Sequence, residues 1–200
     1  IFFLISIALT FFILENINTN FLFYTILISA AFFLFFTSLK ELFTQKFNKL
    51  SQVIAHFGFS LFILTILFNS IWSLEIITNI KVGEKYNINK SEIFFEKIKE
   101  KKASNYNSIV GYFRITQKNG KVIKLEPEVR IYNQPTIITS EADIKTTLLE
   151  DKFLVMNLVK GNEYFNIRYQ VKPFMLWIWI SVLLISIGGV MSLFQKKYEK

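Results

Sequence analysis

Four long stretches without Asp, Glu, Lys or Arg constrain this chain more than any other feature: residues 1–14, 21–39, 50–74 and 173–194. A run of about 18 or more mainly apolar residues makes a helix long enough to cross the hydrocarbon of a bilayer. With 52% hydrophobic residues gathered into such blocks, the chain reads as an integral membrane protein. The first run lacks a basic leader region, an initiator Met and a small-residue cleavage site before Glu15, so it does not read as a signal peptide. Starting in mid-span at Ile1, the chain is expected to be the C-terminal portion of something longer, or to work beside a partner polypeptide.

Charge then orients the spans. Lysines follow the second run at Lys40, Lys46 and Lys49, and follow the fourth at Lys196, Lys197 and Lys200, whereas 15–20 carries no Lys or Arg. Basic loops stay on the cytoplasmic side, or the matrix side in a mitochondrion. Four alternating spans then place residues 75–172 outside. Trp72, Trp177 and Trp179 all fall where those spans meet the outer interface, the depth that indole rings favour. The net charge of +8 is spread over polar segments between spans, which suits topology better than nucleic-acid binding. Absence of cysteine excludes disulfides, thiolate metal sites and thiol nucleophiles.

The outward segment is strand-like. Ser108–Gln117, a Lys118-Asn119-Gly120 turn and Lys121–Leu125 predict a hairpin, since Asn-Gly supplies the positive φ that tight turns need. Phe153–Val159, Lys160-Gly161-Asn162 and Tyr164–Val171 predict a second, with Leu154, Met156 and Leu158 alternating onto one face. Shorter strands are expected at Ile76–Val82 and Thr136–Thr139. The highly charged Ser91–Lys102 shows no clear periodicity and reads as an exposed loop. About 95 residues of short antiparallel strands make a small β-sandwich or open barrel. The expected architecture is thus membrane α-helical, four spans with the first truncated, with an inserted extracytoplasmic all-β domain. Residues 1–74 hold three transmembrane helices and a basic inner loop at 40–49, 75–172 the β-rich domain, and 173–200 the last span and a basic inner tail.

One residue breaks the apolar pattern. His56, the only histidine, lies about six residues, or about 9 Å, inside the third run, in the inner half of the bilayer. An ionisable side chain within a span is costly and marks a functional position. Three roles are open to it: an axial ligand to haem iron through a neutral imidazole nitrogen, a station on a proton path, or a structural hydrogen bond to a neighbouring helix. Phe59 and Ser60, one turn on, offer an aromatic wall and a small gap suited to a flat macrocycle. A six-coordinate low-spin haem needs a second axial ligand, and this chain has no other histidine to give. In the β segment, Glu126, Glu128, Arg130, Arg168 and Lys172 stand out, the arginines as candidate contacts for haem propionates or an anionic partner, or all of them simply as a solvated surface. No nucleotide-binding loop, Ser-His-Asp set or metal-spaced carboxylate pair is present, so no catalytic residue is assigned. Gly188-Gly189 and Ser192 read as close helix packing.

Several segments, in order, resemble the CcmF-type haem lyase of cytochrome c maturation. They are Ala55-His56-Phe57-Gly58, Asn105-Tyr106, Pro127-Glu128-Val129-Arg130-Ile131-Tyr132, Ser140-Glu141-Ala142, Asp151–Val155, Arg168–Pro173, Trp177-Ile178-Trp179 and Gly188-Gly189. The likeness runs from about residue 50 to the end. Val129, Ser104 and Ser140 depart from the family's usual Lys, Pro and Thr.

The resemblance implies a role in attaching haem covalently to apocytochrome c, as part of a cytochrome c haem lyase (holocytochrome c synthase) complex. It implies haem b held in the membrane, with His56 as an axial ligand to its iron. The implied partners are a haem chaperone, apocytochrome c, other cytochrome c maturation subunits, membrane lipid, and the N-terminal part of the same protein or a split partner chain. The family's tryptophan-rich haem-handling segment belongs to that N-terminal part. The implied location is the bacterial or mitochondrial inner membrane, multi-pass, with 75–172 on the periplasmic or intermembrane side. The alternative is a non-enzymatic membrane anchor whose outer β domain binds a partner.

Overall fold

A computed structural model describes residues 1–15, 21–44, 49–88, 91–159, 161 and 163–195. The chain divides into two compact units, Ile1–Trp72 with Pro173–Lys200, and Ser73–Lys172.

The first unit is helical. Its elements are α1 (Phe2–Leu14), α2 (Phe21–Thr44), α3 (Leu50–Trp72) and α4 (Met175–Gln195). Three of them, α2, α3 and α4, are long and apolar enough to cross a membrane, while α1 is a shorter apolar helix of 13 residues. Their few hydroxyls are satisfied within the helix. Thr10 donates to the Ser6 carbonyl at 2.7 Å, Thr65 to Leu61 at 2.8 Å and Ser181 to Trp177 at 2.6 Å. This is how polar side chains are tolerated where water is scarce. The helices pack in chain order, α1 on α2, α2 on α3 and α3 on α4. Phenylalanine fills the α2–α3 contact, with Phe32 against Phe68 and Phe35 against Phe57 at centroid distances of 5.8 and 5.6 Å.

Between α3 and α4 the contact is made by absence of side chain. A Cβ on Gly188 would come within 2.7 Å of the Ala55 nitrogen and the Ser51 carbonyl, and one on Gly58 within 2.9 Å of the Ile185 nitrogen. Small residues on both helices let the backbones approach, as expected for Gly188. Gly189 takes no part, since nothing lies within 4 Å of the Cβ it lacks.

The helix α2 corrects one boundary. It continues through Lys40 and Glu41 to Thr44, where the sequence suggests a loop from residue 40. Lys and Glu are good helix formers, and charge at a span's end sits at the polar interface without penalty. The rest of the basic 40–49 stretch, the 15–20 connection and the 195–200 tail lie largely outside the described residues.

The second unit is all β. It comprises β1 (Leu74–Ile80), β2 (Lys85–Ile88), β3 (Ser91–Lys102), β4 (Tyr106–Gln117), β5 (Val122–Leu125), β6 (Glu128–Tyr132), β7 (Ile138–Glu141), β8 (Asp143–Thr146), β9 (Glu150–Leu158) and β10 (Phe165–Pro173). One sheet runs β1-β10-β9-β8, the other β2-β3-β4-β6-β7 with β5 also paired to β4. Their inner faces share one core, in which Phe95 stacks on Phe113 at 4.2 Å beside Leu154, Met156, Ile167 and Tyr169. That is a β-sandwich.

Both predicted hairpins form. Gly120 takes φ +77° in the β4–β5 turn, and Gly161 takes +73° between β9 and β10, although Lys160 and Asn162 lie outside the described residues. Leu154 and Met156 are fully buried, but Leu158 runs past the edge of the core and is 38% exposed. The Ser91–Lys102 loop is corrected outright: it is β3, paired antiparallel with β4 along its length. Ile93 and Phe95 alternate into the core, then a bulge between Phe95 and Lys97 shifts the register. Beyond the bulge every residue is exposed, so the strand survives on its backbone ladder and shows no apolar period. Strands β2, β6 and β8, of four or five residues, escape the sequence reading.

Candidate functional site

Four consecutive residues of α3 face different neighbours. At 100° per residue, Ala55 and Gly58 fall on the seam with α4, and Phe57 turns to Phe35 of α2. His56 is left on a third face, with Gln52, Phe59 and Ile66, all exposed in this unit. Its side chain is 55% exposed, on a helix whose other two faces are packed. Phe59 is 52% exposed on the same side and is available as an aromatic wall. Ser60 does not provide the expected gap: it is fully buried and donates its hydroxyl to the Phe57 carbonyl at 2.8 Å.

A carboxylate stands beside the imidazole. Glu41, on the last turns of α2, places Oε2 3.9 Å from His56 Nδ1, with its own side chain 45% exposed. The contact depends on α2 continuing past Leu39. Two antiparallel helices bring together residues that lie a few positions before and after their connection, and Glu41 and His56 stand so. That spacing was the signal available in the sequence, hidden by reading residue 40 as the helix end.

What this arrangement can do chemically follows from its donors. With Nδ1 turned to a carboxylate, Nε2 is the nitrogen left to bind a metal, and a carboxylate partner at Nδ1 helps fix the orientation of the ring. Among the described residues no group of three or more His, Cys, Asp or Glu could hold a metal ion. A haem iron, which asks the protein for only one or two axial donors, fits a single histidine.

The five charged candidates of the β unit are separated by the fold. Arg130 Nε donates to Glu128 at 2.6 Å, reaches Glu141 at 3.8 Å and lies over the Tyr106 ring at 5.0 Å. Glu126, Glu128 and Arg130 share a polar concavity with Lys101, Glu141 and Asp143 on this unit. Its four carboxylates outnumber its two cations, Lys101 and Arg130, and the Glu128 carboxylate holds the Arg130 guanidinium firmly protonated. Arg168 stands elsewhere, with its Nε 2.7 Å from Glu75, whose carboxyl it holds below the ordinary range. Lys172 follows near the end of β10, outside the concavity. With both arginines matched to carboxylates, the bland reading of a solvated surface is sufficient for them.

Comparison with known proteins supplies the rest. A family model described as the CcmF C-terminal beta-sandwich matches residues 71–173. Cytochrome c-type biogenesis protein CcmF of Escherichia coli (strain K12) is 28% identical over 154 residues, 77% of this chain and 24% of that protein. NrfE of Haemophilus influenzae is 25% identical over 179 residues, 88% of this chain and 28% of that protein. The chain thus spans about a quarter of the length of these curated relatives. A solved structure titled Cytochrome c Heme Lyase CcmF superposes with a TM-score of 0.66 at 16% identity, covering 94% of this chain and 33% of that one. Agreement at that identity is agreement of fold.

Proposed function

The chain belongs to the CcmF family of cytochrome c-type biogenesis proteins, and on that premise we propose that it is the C-terminal part of a membrane haem lyase, with His56 an axial ligand of a b-type haem. The observation that carries the reading is the half-exposed imidazole of His56 on the open face of an apolar, membrane-length helix. A titratable imidazole within an apolar, membrane-length helix is costly, and an iron–nitrogen bond offsets that cost. The haem, when bound, supplies one-electron chemistry that keeps transferred haem reduced; the chain supplies a ligand, its orientation and a dry surrounding.

In this reading the covalent attachment of haem to apocytochrome c takes place on segments outside these residues. The second axial donor comes from the N-terminal part of the same protein or from a split partner chain. The β unit faces the periplasm or the intermembrane space, where a haem chaperone, apocytochrome c and other maturation subunits meet it. The membrane is the bacterial or mitochondrial inner membrane.

The test is spectroscopic. Purified with its complex, His56→Ala should lose the visible spectrum of the b-type haem while the protein still accumulates. An unchanged b-type spectrum in that variant sinks the assignment.

A further inference from the structure

We propose that Glu41 is a positioning residue for the haem iron ligand: its carboxylate orients the His56 imidazole through Nδ1 and makes it a stronger donor. The inference rests on the haem-ligand reading of His56 and goes beyond it to a second side chain on a different helix.

Three observations carry it. Glu41 and His56 come from different helices, so their proximity at 3.9 Å is made by the fold and not by neighbouring positions in the chain. The α2–α3 contact that sets the distance is aromatic and dense, with Phe35 on Phe57 and Phe32 on Phe68. Lastly, the glycine seam with α4 fixes the roll of α3, so His56 is not free to turn toward another neighbour. The separation exceeds an N–H···O hydrogen bond by about 1 Å, so the carboxylate stands beside Nδ1 short of a formed hydrogen bond.

The chemistry follows from charge. A histidine bound to a metal through one nitrogen donates its other N–H, and an anionic acceptor there pushes electron density onto the ring. A more basic imidazole favours ferric over ferrous iron, so the carboxylate lowers the haem midpoint potential. The same contact fixes the tautomer with Nε2 as ligand.

The experiment is a redox titration, with haem quantitation, of the complete complex carrying Glu41→Gln, Glu41→Asp, Lys40→Gln or His56→Ala. Glu41→Gln keeps the side-chain shape and removes the charge. It should raise the midpoint potential and weaken haem retention by about tenfold or more. Glu41→Asp keeps the charge on a shorter stem and should fall between parent and Glu41→Gln. Lys40→Gln changes charge at the adjacent position and should leave the potential near that of the parent. A Glu41→Gln protein with the parent's potential and haem retention overturns the role of Glu41, and so does a Lys40→Gln shift of equal size. If His56→Ala keeps an unaltered b-type spectrum, the ligand reading fails, and the role of Glu41 with it.

Discussion

Asp151, on β9, is 7% exposed, and its Oδ1 has no hydrogen-bond partner among the described residues. The residue after it, Lys152, is more buried still at 4%, but its ammonium lies 2.6 Å from Glu150. Burial therefore raises the Asp151 carboxyl above its ordinary range, with Thr146 offsetting part of the effect. The folded state then holds its proton more tightly than the unfolded chain does. Stability from this group is greatest below the unfolded value of about 3.9 and is lost as pH rises through the raised folded value. Asp151→Asn should stabilise the protein at neutral pH, on the order of 1 kcal/mol, with the advantage shrinking toward pH 4. Thermal melts of both proteins across that range test it; an offset that does not change with pH means the carboxylate is not the cause. Residues at this scale differ in how readable they are. His56 stands out because a titratable group in an apolar run is conspicuous in any alignment of side chains to depth. Asp151 sits in an ordinary strand pattern, and only packing reveals that water is excluded from it. Glu41 is intermediate: its neighbour is invisible until two helices are placed side by side.

At the scale of elements, α3 and α4 illustrate what composition conveys and what it conceals. The Gly188-Gly189 pair announces close packing, yet only one of the two is in contact. A Cβ at Gly188 meets backbone atoms at 2.7 Å, which cannot rotate away, while one at Gly189 meets nothing within 4 Å. Gly188→Ala should therefore force the helices apart and cost about 1–3 kcal/mol. Gly189→Ala should gain up to about 1 kcal/mol from helix propensity alone. Denaturation midpoints in detergent separate the two, and equal effects at both positions would refute the seam. In the β unit the hairpins are legible because turn chemistry and alternation agree. The strand β3 is not, because its second half is held by hydrogen bonds to β4 while its side chains point into solvent on both faces. Periodicity reports burial, and a strand without burial leaves no period. Four or five residues are too few to establish alternation in β2, β6 and β8, and unlike the equally short β5 they have no Asn-Gly turn beside them to mark a hairpin.

For the whole molecule the informative quantity is which side of the membrane each segment occupies. Lys49 immediately precedes α3 and the β unit immediately follows it, so if this 23-residue helix crosses once, as its length and composition allow, they stand on opposite sides. From the positive-inside bias of Lys40 and Lys49 we expect that side to be the cytoplasm or matrix. The chain contains no cysteine, which makes it well suited to a direct test, since any introduced thiol is the sole site of labelling. Lys118 is an exposed position in the β4–β5 turn. In a cysteine-free background, Lys118→Cys should react with a membrane-impermeant maleimide added outside intact cells or mitoplasts. Lys49→Cys should react only after the membrane is opened. Labelling of Lys49→Cys in the intact preparation, with Lys118→Cys protected, would invert the topology. The β unit would then face the compartment where apocytochrome c is not matured, and the proposed role would lose its footing. The reverse outcome would set the β-sandwich among the extracytoplasmic partners and leave His56, about 9 Å from the basic end of α3, in the opposite half of the bilayer.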